Sequence, residues 1–130
     1  MTTPPVHAFV HLRSEGVSVL LDCTRGRLPA LAHWGADLGE VSAADALRLV
    51  EGGVHPIPHN IVDEPVRVAL LPESWTGWAG RPGLSGSRGG RDWSPRFTTT
   101  ALTVAGRAVE SPGGDATVVA GGCALVEVAA

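Results

Sequence analysis

Side-chain polarity changes residue by residue at the start of the chain, and this alternation most constrains the fold. Residues 6–13 alternate Val, Ala, Val and Leu with His, Phe, His and Arg, and residues 17–21 repeat the pattern. A period of two is typical of a half-buried strand, because successive side chains point to opposite faces. Between the two runs lies Ser14-Glu15-Gly16, and a three-residue connection containing glycine predicts a β-hairpin.

Short strands separated by glycine and proline are expected along the rest of the chain. They lie at residues 28–34, 66–70, 97–104, 107–110, 116–120 and 123–128. Pro29 weakens the start of the first, and residues 111–115 (SPGGD) form one of the turns. Many short strands broken by such turns predict an all-β chain folded as a β-sandwich, rather than an alternating α/β sheet.

One short helix is expected after Ser42. The Ser42 side chain can cap it, and Asp45 stands three residues later in the capping-box position. Apolar side chains on one face, at Ala43, Ala46, Leu47 and Val50, indicate which side is buried. Gly52 and Gly53 then end the helix.

The length bounds the chain to one domain or a piece of one. It has 130 residues, whereas a (β/α)₈ barrel needs at least about 200. The last residues, ALVEVAA, come at or just after an expected strand. We therefore interpret residues 1–130 as a β-sandwich domain or an incomplete part of one.

Composition excludes several classes of function. The formal net charge is −3 and 44% of residues are hydrophobic, so the chain is neither disordered nor held to nucleic acid by phosphate contacts. We find no secretory signal and no membrane-spanning run, so we expect a cytoplasmic protein with no membrane partner.

The cysteines and histidines do not predict a metal site. Cys23 and Cys123 do not form a zinc motif; we expect two free, buried thiols, with a single bridge between them left open. His7 and His11, four positions apart on a strand, would be about 13 Å apart, too far to bind one ion. His55 and His59 have the same spacing among prolines. We expect no metal and no cofactor.

Residues 72–96, called here the glycine-rich segment, differ in composition from the rest. They contain six glycines and three prolines, nine of 25 positions, together with Trp75, Trp78 and Trp93. A connection of this length is usually either a functional loop or disordered, and three tryptophans are unusual in a disordered segment. We therefore predict a long, ordered, functional loop.

Indoles beside carboxylates and guanidinium groups are suited to carbohydrate. An indole covers the apolar face of a sugar, and Asp92 or an arginine can hydrogen-bond its hydroxyls. The alternative, equally favoured by composition alone, is that the tryptophan rings pin the segment to the sheets while its arginines are solvated.

Four segments resemble the N-terminal domain of glycoside hydrolase family 36 α-galactosidases, especially the branch from GC-rich actinobacteria. They are LPALAHWGADLGEV (28–41), PHN (58–60), LLPE (70–73) and RPGLSGSRGGRDWSPRF (81–97), within about residues 14 to 104. His33-Trp34-Gly35 resembles the family's H-aromatic-G motif, and Asp92-Trp93 resembles its G-D-F-R-x-P motif.

The resemblance implies a β-supersandwich that precedes a (β/α)₈ catalytic barrel. The family's enzymes hydrolyse terminal α-galactosides with retention, and both of their catalytic carboxylates belong to the barrel. That barrel is absent from this chain, so we assign no catalytic residue and expect the α-galactoside to be bound chiefly by the missing barrel.

The resemblance also implies substrate-binding residues. Asp92 would contact the galactose hydroxyls, in some members from a neighbouring subunit, which is consistent with a homo-oligomer. Trp93 would wall the pocket and Trp34 would stand nearby. Arg91 replaces the family's glycine, and Ser94 replaces a common arginine whose role Arg91 or Arg96 could take.

Two other functions remain open from the sequence. One is a free-standing carbohydrate-binding module that uses Trp75, Trp78 and Trp93 as a platform. The other is a structural or oligomerisation domain with tryptophans buried between subunits.

Overall fold

A computed structural model describes residues 8–60, 65–109 and 117–129 of the chain. These residues form two β-sheets and one short helix, so the chain is mostly β, as predicted. Short 3₁₀ helices lie at Thr24–Gly26 and Ser74–Thr76. The main elements are β1 (Ala8–Ser14), β2 (Val17–Asp22), β3 (Ala30–Ala36), α1 (Ala43–Gly52), β4 (Thr98–Val104), β5 (Arg107–Ala108), β6 (Thr117–Gly121) and β7 (Ala124–Ala129).

The first sheet has the strand order β3-β2-β1-β6. β1 and β2 form the predicted hairpin, but its connection is two residues long rather than three, because Ser14 still pairs with Val17. Glu15 and Gly16 have φ values of 48° and 79°, and positive φ at both central residues is the mark of a type I′ turn. β6 runs parallel to β1 on its other side.

The second sheet has the order β5-β4-β7, with both pairings antiparallel. β4 turns into β5 through Ala105 and Gly106, which also have positive φ. A bulge interrupts the pairing of β4 with β7 between Thr99 and Ala101. Of the strand predicted at 107–110, the described residues contain a strand at Arg107–Ala108. Residues 110–116, which include the predicted SPGGD turn, lie outside the described residues.

The two faces of the first sheet pack against different elements. One face contributes Val10 and Leu21 to a buried cluster that also contains Leu102 and Val104 of the second sheet. The other face contributes Phe9 and Leu20 to a cluster with Ala46 of α1. This division follows from the alternation in β1, since neighbouring residues Phe9 and Val10 enter opposite clusters.

The helix forms as its sequence predicts. The Ser42 hydroxyl accepts a hydrogen bond from the Asp45 N–H at 3.1 Å and donates one to the Asp45 carboxylate at 2.7 Å. The second bond favours the ionised carboxyl and lowers the pKa of Asp45. Of the predicted apolar face, Ala46 is buried and Val50 half-buried, whereas Leu47 is exposed. No helix in the described ranges is long and apolar enough to span a membrane.

Two further predictions about local structure are wrong. Residues 66–70 form no strand; a single bridge joins Ala69 to Ala30, supported by hydrogen bonds from Leu31 N–H to Val68 O and from Leu70 N–H to Pro29 O. Cys123 is exposed rather than buried, whereas Cys23 is buried as expected; both thiols are free. Val6 and His7 of the predicted first strand lie outside the described residues.

Candidate functional site

A buried carboxylate near the start of the glycine-rich segment links that end to the residue that follows the segment. Glu73, near its start, is buried and accepts a hydrogen bond from the Phe97 N–H at 2.7 Å. The Pro72 carbonyl accepts another from the Gly83 N–H at 2.8 Å. The Glu73 bond brings the two ends of the segment together beside the first residues of β4, and the Pro72 bond closes its first half, residues 72–83.

Two of the three tryptophans in the segment make contacts within the fold. The guanidinium groups of Arg27 and Arg96 lie over the Trp75 ring, at 5.1 and 4.3 Å from its centre. Such stacking is a cation–π interaction. The Trp78 indole donates a hydrogen bond to the Arg81 carbonyl at 3.2 Å. Trp75, which contacts Arg27 outside the segment, therefore matches the expectation that tryptophans pin the segment, whereas the Trp78 bond stays within the segment.

Asp92 follows a tight turn. Arg88 and Arg91 exchange backbone hydrogen bonds at 2.8 and 3.2 Å around Gly89 and Gly90, which both have positive φ. Asp92 also has a positive φ, of 54°, in a region that glycine adopts freely and aspartate tolerates. Residues 88–92 are called here the Asp92 turn. It presents the Asp92 side chain to solvent, where the carboxylate makes no hydrogen bond or ion pair with any described residue.

The remaining predicted site residues are also at the surface. Trp93 is 69% exposed, Trp34 on the edge strand β3 is 72% exposed, and Arg91 is exposed. Across the described ranges, no hydrogen bond, ion pair or ring contact joins Asp92, Trp93 or Arg91 to Trp34. The structure thus exposes all four side chains but does not bring them into contact.

A polar cluster that was not predicted lies at the hairpin end of the first sheet. Arg13 donates from Nε and Nη2 to the two carboxylate oxygens of Asp37, at 2.7 and 2.6 Å. The Ser18 hydroxyl donates to the same carboxylate at 2.9 Å, and the Gly39 N–H donates to it at 3.1 Å. Chiefly the Arg13 bonds, and then those from Gly39 and Ser18, hold the pKa of Asp37 far below its ordinary value.

His11 extends this cluster into the core. Its Nε2 atom lies 2.8 Å from Ser18 Oγ, and the side chain is only 2% exposed. Because the one hydroxyl proton of Ser18 goes to Asp37, the His11 ring must donate through Nε2–H. Burial lowers the pKa of His11, and the charge of Arg13 lowers it further.

The His11, Ser18 and Asp37 cluster is not a hydrolase triad. In a triad the histidine lies between the acid and the nucleophile. Here Ser18 lies between His11 and Asp37, and it is fully buried, so its hydroxyl cannot reach a substrate. The cluster therefore fixes the hairpin to the chain after β3. Hairpin register could have suggested part of it, since Arg13 pairs directly with Ser18.

A cavity of about 440 Å³ opens between α1, the end of β2 and residues 65–68. Most of its lining is aliphatic, and at one end Arg67 donates to the Asp22 carboxylate at 2.6 Å and to the Asp22 carbonyl at 2.9 Å. Asp22 also accepts two bonds from Thr24, through its N–H and its hydroxyl. None of the four predicted site residues lines this cavity.

Neither metal coordination nor similarity to known proteins identifies a site. Within residues 8–60, 65–109 and 117–129, no three His, Cys, Asp or Glu side chains are grouped so that they could hold a metal ion. Comparison of the chain with protein-family models, curated proteins and solved structures gave no match.

Proposed function

We propose that this chain is the N-terminal β-sandwich part of a family 36 α-galactosidase and contributes one wall of the sugar site. The observation that carries the proposal is the exposure of the Asp92 carboxylate and the adjacent Trp93 indole, neither of which makes a hydrogen bond, ion pair or ring contact with any described residue. A carboxylate that accepts hydrogen bonds from sugar hydroxyls, beside an aromatic ring that covers the sugar face, is a common arrangement for binding a sugar.

The packing of the two sheets supports the β-sandwich. The cluster around Val10 and Leu21 of the first sheet includes Leu102 and Val104 of the second, as expected for sheets packed face to face. α1 covers the opposite face of the first sheet. In the proposed enzyme, residues 1–130 are one domain or part of one, and the long loop at 72–96 extends from it.

The anchoring of the loop supports its role as a wall. Glu73 ties the loop ends together, and Trp75 lies under two guanidinium groups, so the Asp92 turn is presented from a fixed base. Arg91 is adjacent and exposed, and in the proposal it supplies the hydroxyl contacts that Ser94 cannot. Trp34 would contribute from β3.

Catalysis in this proposal belongs to a barrel that the 130 residues do not contain. A retaining glycosidase needs two carboxyl groups about 5 Å apart on a rigid frame, and the barrel would hold both and most of the α-galactoside. The proposal places the enzyme in the cytoplasm, with no cofactor. The family resemblance implies that Asp92 acts in the site of its own subunit or of a neighbouring one, so the proposal is compatible with a homo-oligomer.

The proposal is tested first on the coding DNA beyond the Ala130 codon. We expect it to encode a (β/α)₈ barrel with two active-site carboxylates; a stop codon or an unrelated domain would refute the proposal. In the enzyme so encoded, Asp92→Ala should lower kcat/KM for an aryl α-galactoside by about ten- to a hundredfold, because a charged hydrogen bond to substrate is lost. Glu51→Ala, at an exposed carboxylate on α1, is the control and should leave kcat/KM unchanged.

Sugar binding by the isolated 130-residue chain distinguishes this proposal from a free-standing sugar-binding module. A module predicts that galactosides quench tryptophan fluorescence of the 130-residue chain, and that Trp93→Ala abolishes the quenching. We expect neither quenching nor hydrolysis, because most of the pocket is missing. Trp75 and Trp78 also make contacts within the fold. Of the three proposed platform rings, Trp93 is the one that is largely exposed.

A further inference from the structure

Two arginines lie directly opposite each other across the Asp92 turn. The backbones of Arg88 and Arg91 exchange N–H to carbonyl hydrogen bonds of 2.8 and 3.2 Å, and Gly89 and Gly90 are the central residues of the turn. Residues that exchange both bonds in this way have their side chains on the same face, with Cβ atoms about 5 Å apart. The turn therefore starts two arginine side chains next to each other on one face.

The charges of these two arginines are not neutralised within the described fold. Both side chains are exposed, and neither makes a hydrogen bond or an ion pair with any described residue. That includes the carboxylate of Asp92, the residue that follows Arg91. Like charges placed directly opposite each other destabilise such a pair. The turn thus holds a repulsive pair that no described side chain relieves.

Turn geometry does not require this pair of charges. Residues 15–16 and residues 105–106 also form two-residue turns with positive φ at both positions. The pairs that flank these turns are Ser14 with Val17 and Val104 with Arg107. Each of these pairs has at most one charged side chain. The paired arginines therefore distinguish the Asp92 turn from the other two turns.

The arginine pair belongs to a basic segment in an acidic chain. Residues 72–96 contain four arginines and two acidic residues, and one of these acids, Glu73, is buried with its carboxylate bound to the Phe97 N–H. The rest of the chain has six arginines and 11 acidic residues, so positive charge is concentrated in the glycine-rich segment. Such a concentration of one sign of charge attracts ligands of the opposite sign.

We propose that Arg88 and Arg91 together bind a phosphate group at the Asp92 turn. A phosphate group carries close to two negative charges at neutral pH, so it can neutralise both guanidinium groups. One carboxylate of another protein segment would neutralise only one of them. Each guanidinium group can also donate two parallel hydrogen bonds to the phosphate oxygens. The group is either a free phosphate ion or a phosphate monoester of a sugar.

The phosphate site goes beyond the proposed sugar site and does not rest on it. The two sites share Arg91, but phosphate binding needs no catalytic barrel and is measured on the 130-residue chain. The α-galactosidase proposal is tested instead by the sequence beyond Ala130 and by kcat/KM. Either proposal can therefore fail while the other holds.

Amide NMR of the ¹⁵N-labelled chain, titrated with inorganic phosphate at pH 8, tests the site. Sodium chloride at the same ionic strength is the reference, because it screens charge equally. We expect saturable shifts in the signals of residues 88–93 with phosphate and none with chloride.

Matched arginine substitutions test which side chains bind the phosphate. Arg88→Gln and Arg91→Gln should each weaken phosphate binding about tenfold, because one set of charge-assisted hydrogen bonds is lost. Arg107→Gln is the control. It removes the same charge from an exposed residue beside the turn at 105–106, where the opposite residue is Val104, and it should leave the affinity unchanged.

A galactose phosphate ester, compared with inorganic phosphate, distinguishes the two sources of the group. An ester that binds about tenfold more tightly or better indicates a phosphate carried by a sugar, and equal affinities indicate the free ion. Shifts that chloride reproduces would overturn the proposal, as would equal losses of affinity in Arg88→Gln and Arg107→Gln. A longer protein that contains residues 1–130 but binds no phosphate at this turn would also overturn it, because another segment would then pair with the arginines.

Discussion

The Nε2 atom of His11 donates a hydrogen bond to the Ser18 hydroxyl over 2.8 Å, and both side chains are buried. Through Ser18 the imidazole is joined to the Asp37 carboxylate and so to Arg13. Charged or titratable groups on β1, on β3 and after β3 thus surround the ring: Arg13, His33 and Asp37. These surroundings favour the neutral imidazole of His11, and protonation of the ring would destabilise the folded chain.

We therefore predict that the chain loses stability as the pH falls below about 6.5, the ordinary pKa of histidine. The pKa of His11 is lowered in the folded state, mainly by burial. Between the folded pKa and 6.5 the unfolded chain binds more protons, so acidification favours unfolding. Urea unfolding at several pH values would show the free energy of unfolding falling as the pH falls, and the steepness of this fall is the slope compared below. His11→Gln should have a smaller slope, and an equal slope in both proteins would contradict the prediction.

The two cysteines should differ in reactivity. Cys23 is buried, and desolvation raises the pKa of its thiol to about 12, whereas Cys123 is exposed. Because the thiolate is the reactive form, a thiol reagent at neutral pH should label Cys123 quickly and Cys23 only after unfolding. Mass spectrometry of the labelled peptides would distinguish them; rapid labelling of Cys23 in the folded chain would show that it is not shielded.

The Cys23 thiol should also lower the stability of the folded chain at alkaline pH. Its pKa in the folded state lies above the value of 9.0 expected in the unfolded chain. The unfolded chain therefore releases this proton first, and stability should decline as the pH rises above 9. Cys23→Ala should remove that part of the decline.

Glu73 should control the stability of the glycine-rich segment. Glu73→Ala leaves the Phe97 N–H without its partner, which should cost about 1 to 3 kcal/mol in the free energy of unfolding. Trypsin should also cleave the folded variant faster at Arg88 or Arg91. Glu73→Gln keeps an acceptor oxygen and should recover most of the stability. If both variants behave alike, the hydrogen bond is not the anchor.

The Asp22–Arg67 ion pair should matter more than a surface pair. Arg67→Met leaves the buried Asp22 carboxylate with Thr24 as its one remaining partner among the described residues, and we expect a loss of about 2 to 4 kcal/mol in the free energy of unfolding. The double variant Asp22→Asn/Arg67→Met should regain part of that loss, since no unpaired charge remains buried. Chemical denaturation measures both. The exposed pair of Arg48 with Asp45 is the control, and Arg48→Met should change stability by under about 1 kcal/mol.

Local patterns predicted the local elements well. The alternation around Val10 gave β1, and Ser42 with Asp45 gave the start of α1, because both depend on residues close in sequence. The hairpin connection was one residue too long, since a two-residue turn is possible where Glu15 tolerates positive φ. Residues 66–70 have the alternation of a strand, but their pairing depends on a distant segment that offers only one bridge at Ala30.

The polar contacts could not be predicted in the same way. Arg13 and Asp37 are 24 positions apart, and Asp22 and Arg67 are 45 apart. Each contact exists only once the sheets and α1 have set the distance, and nothing in the local sequence specifies that distance. Asp92 and Trp93 were singled out by motif, and the structure adds their exposure; their role in binding a sugar stays a prediction.

The parallel pairing of β1 with β6 has a consequence for synthesis of the chain. Ala8 pairs with Thr117, so the first described strand waits for a neighbour translated more than a hundred residues later. Contacts between segments so remote in sequence slow folding, because a large loop must close before they form. While the ribosome makes the intervening residues, that side of β1 stays open, and the sheet is completed only after residues 117–121 have been translated.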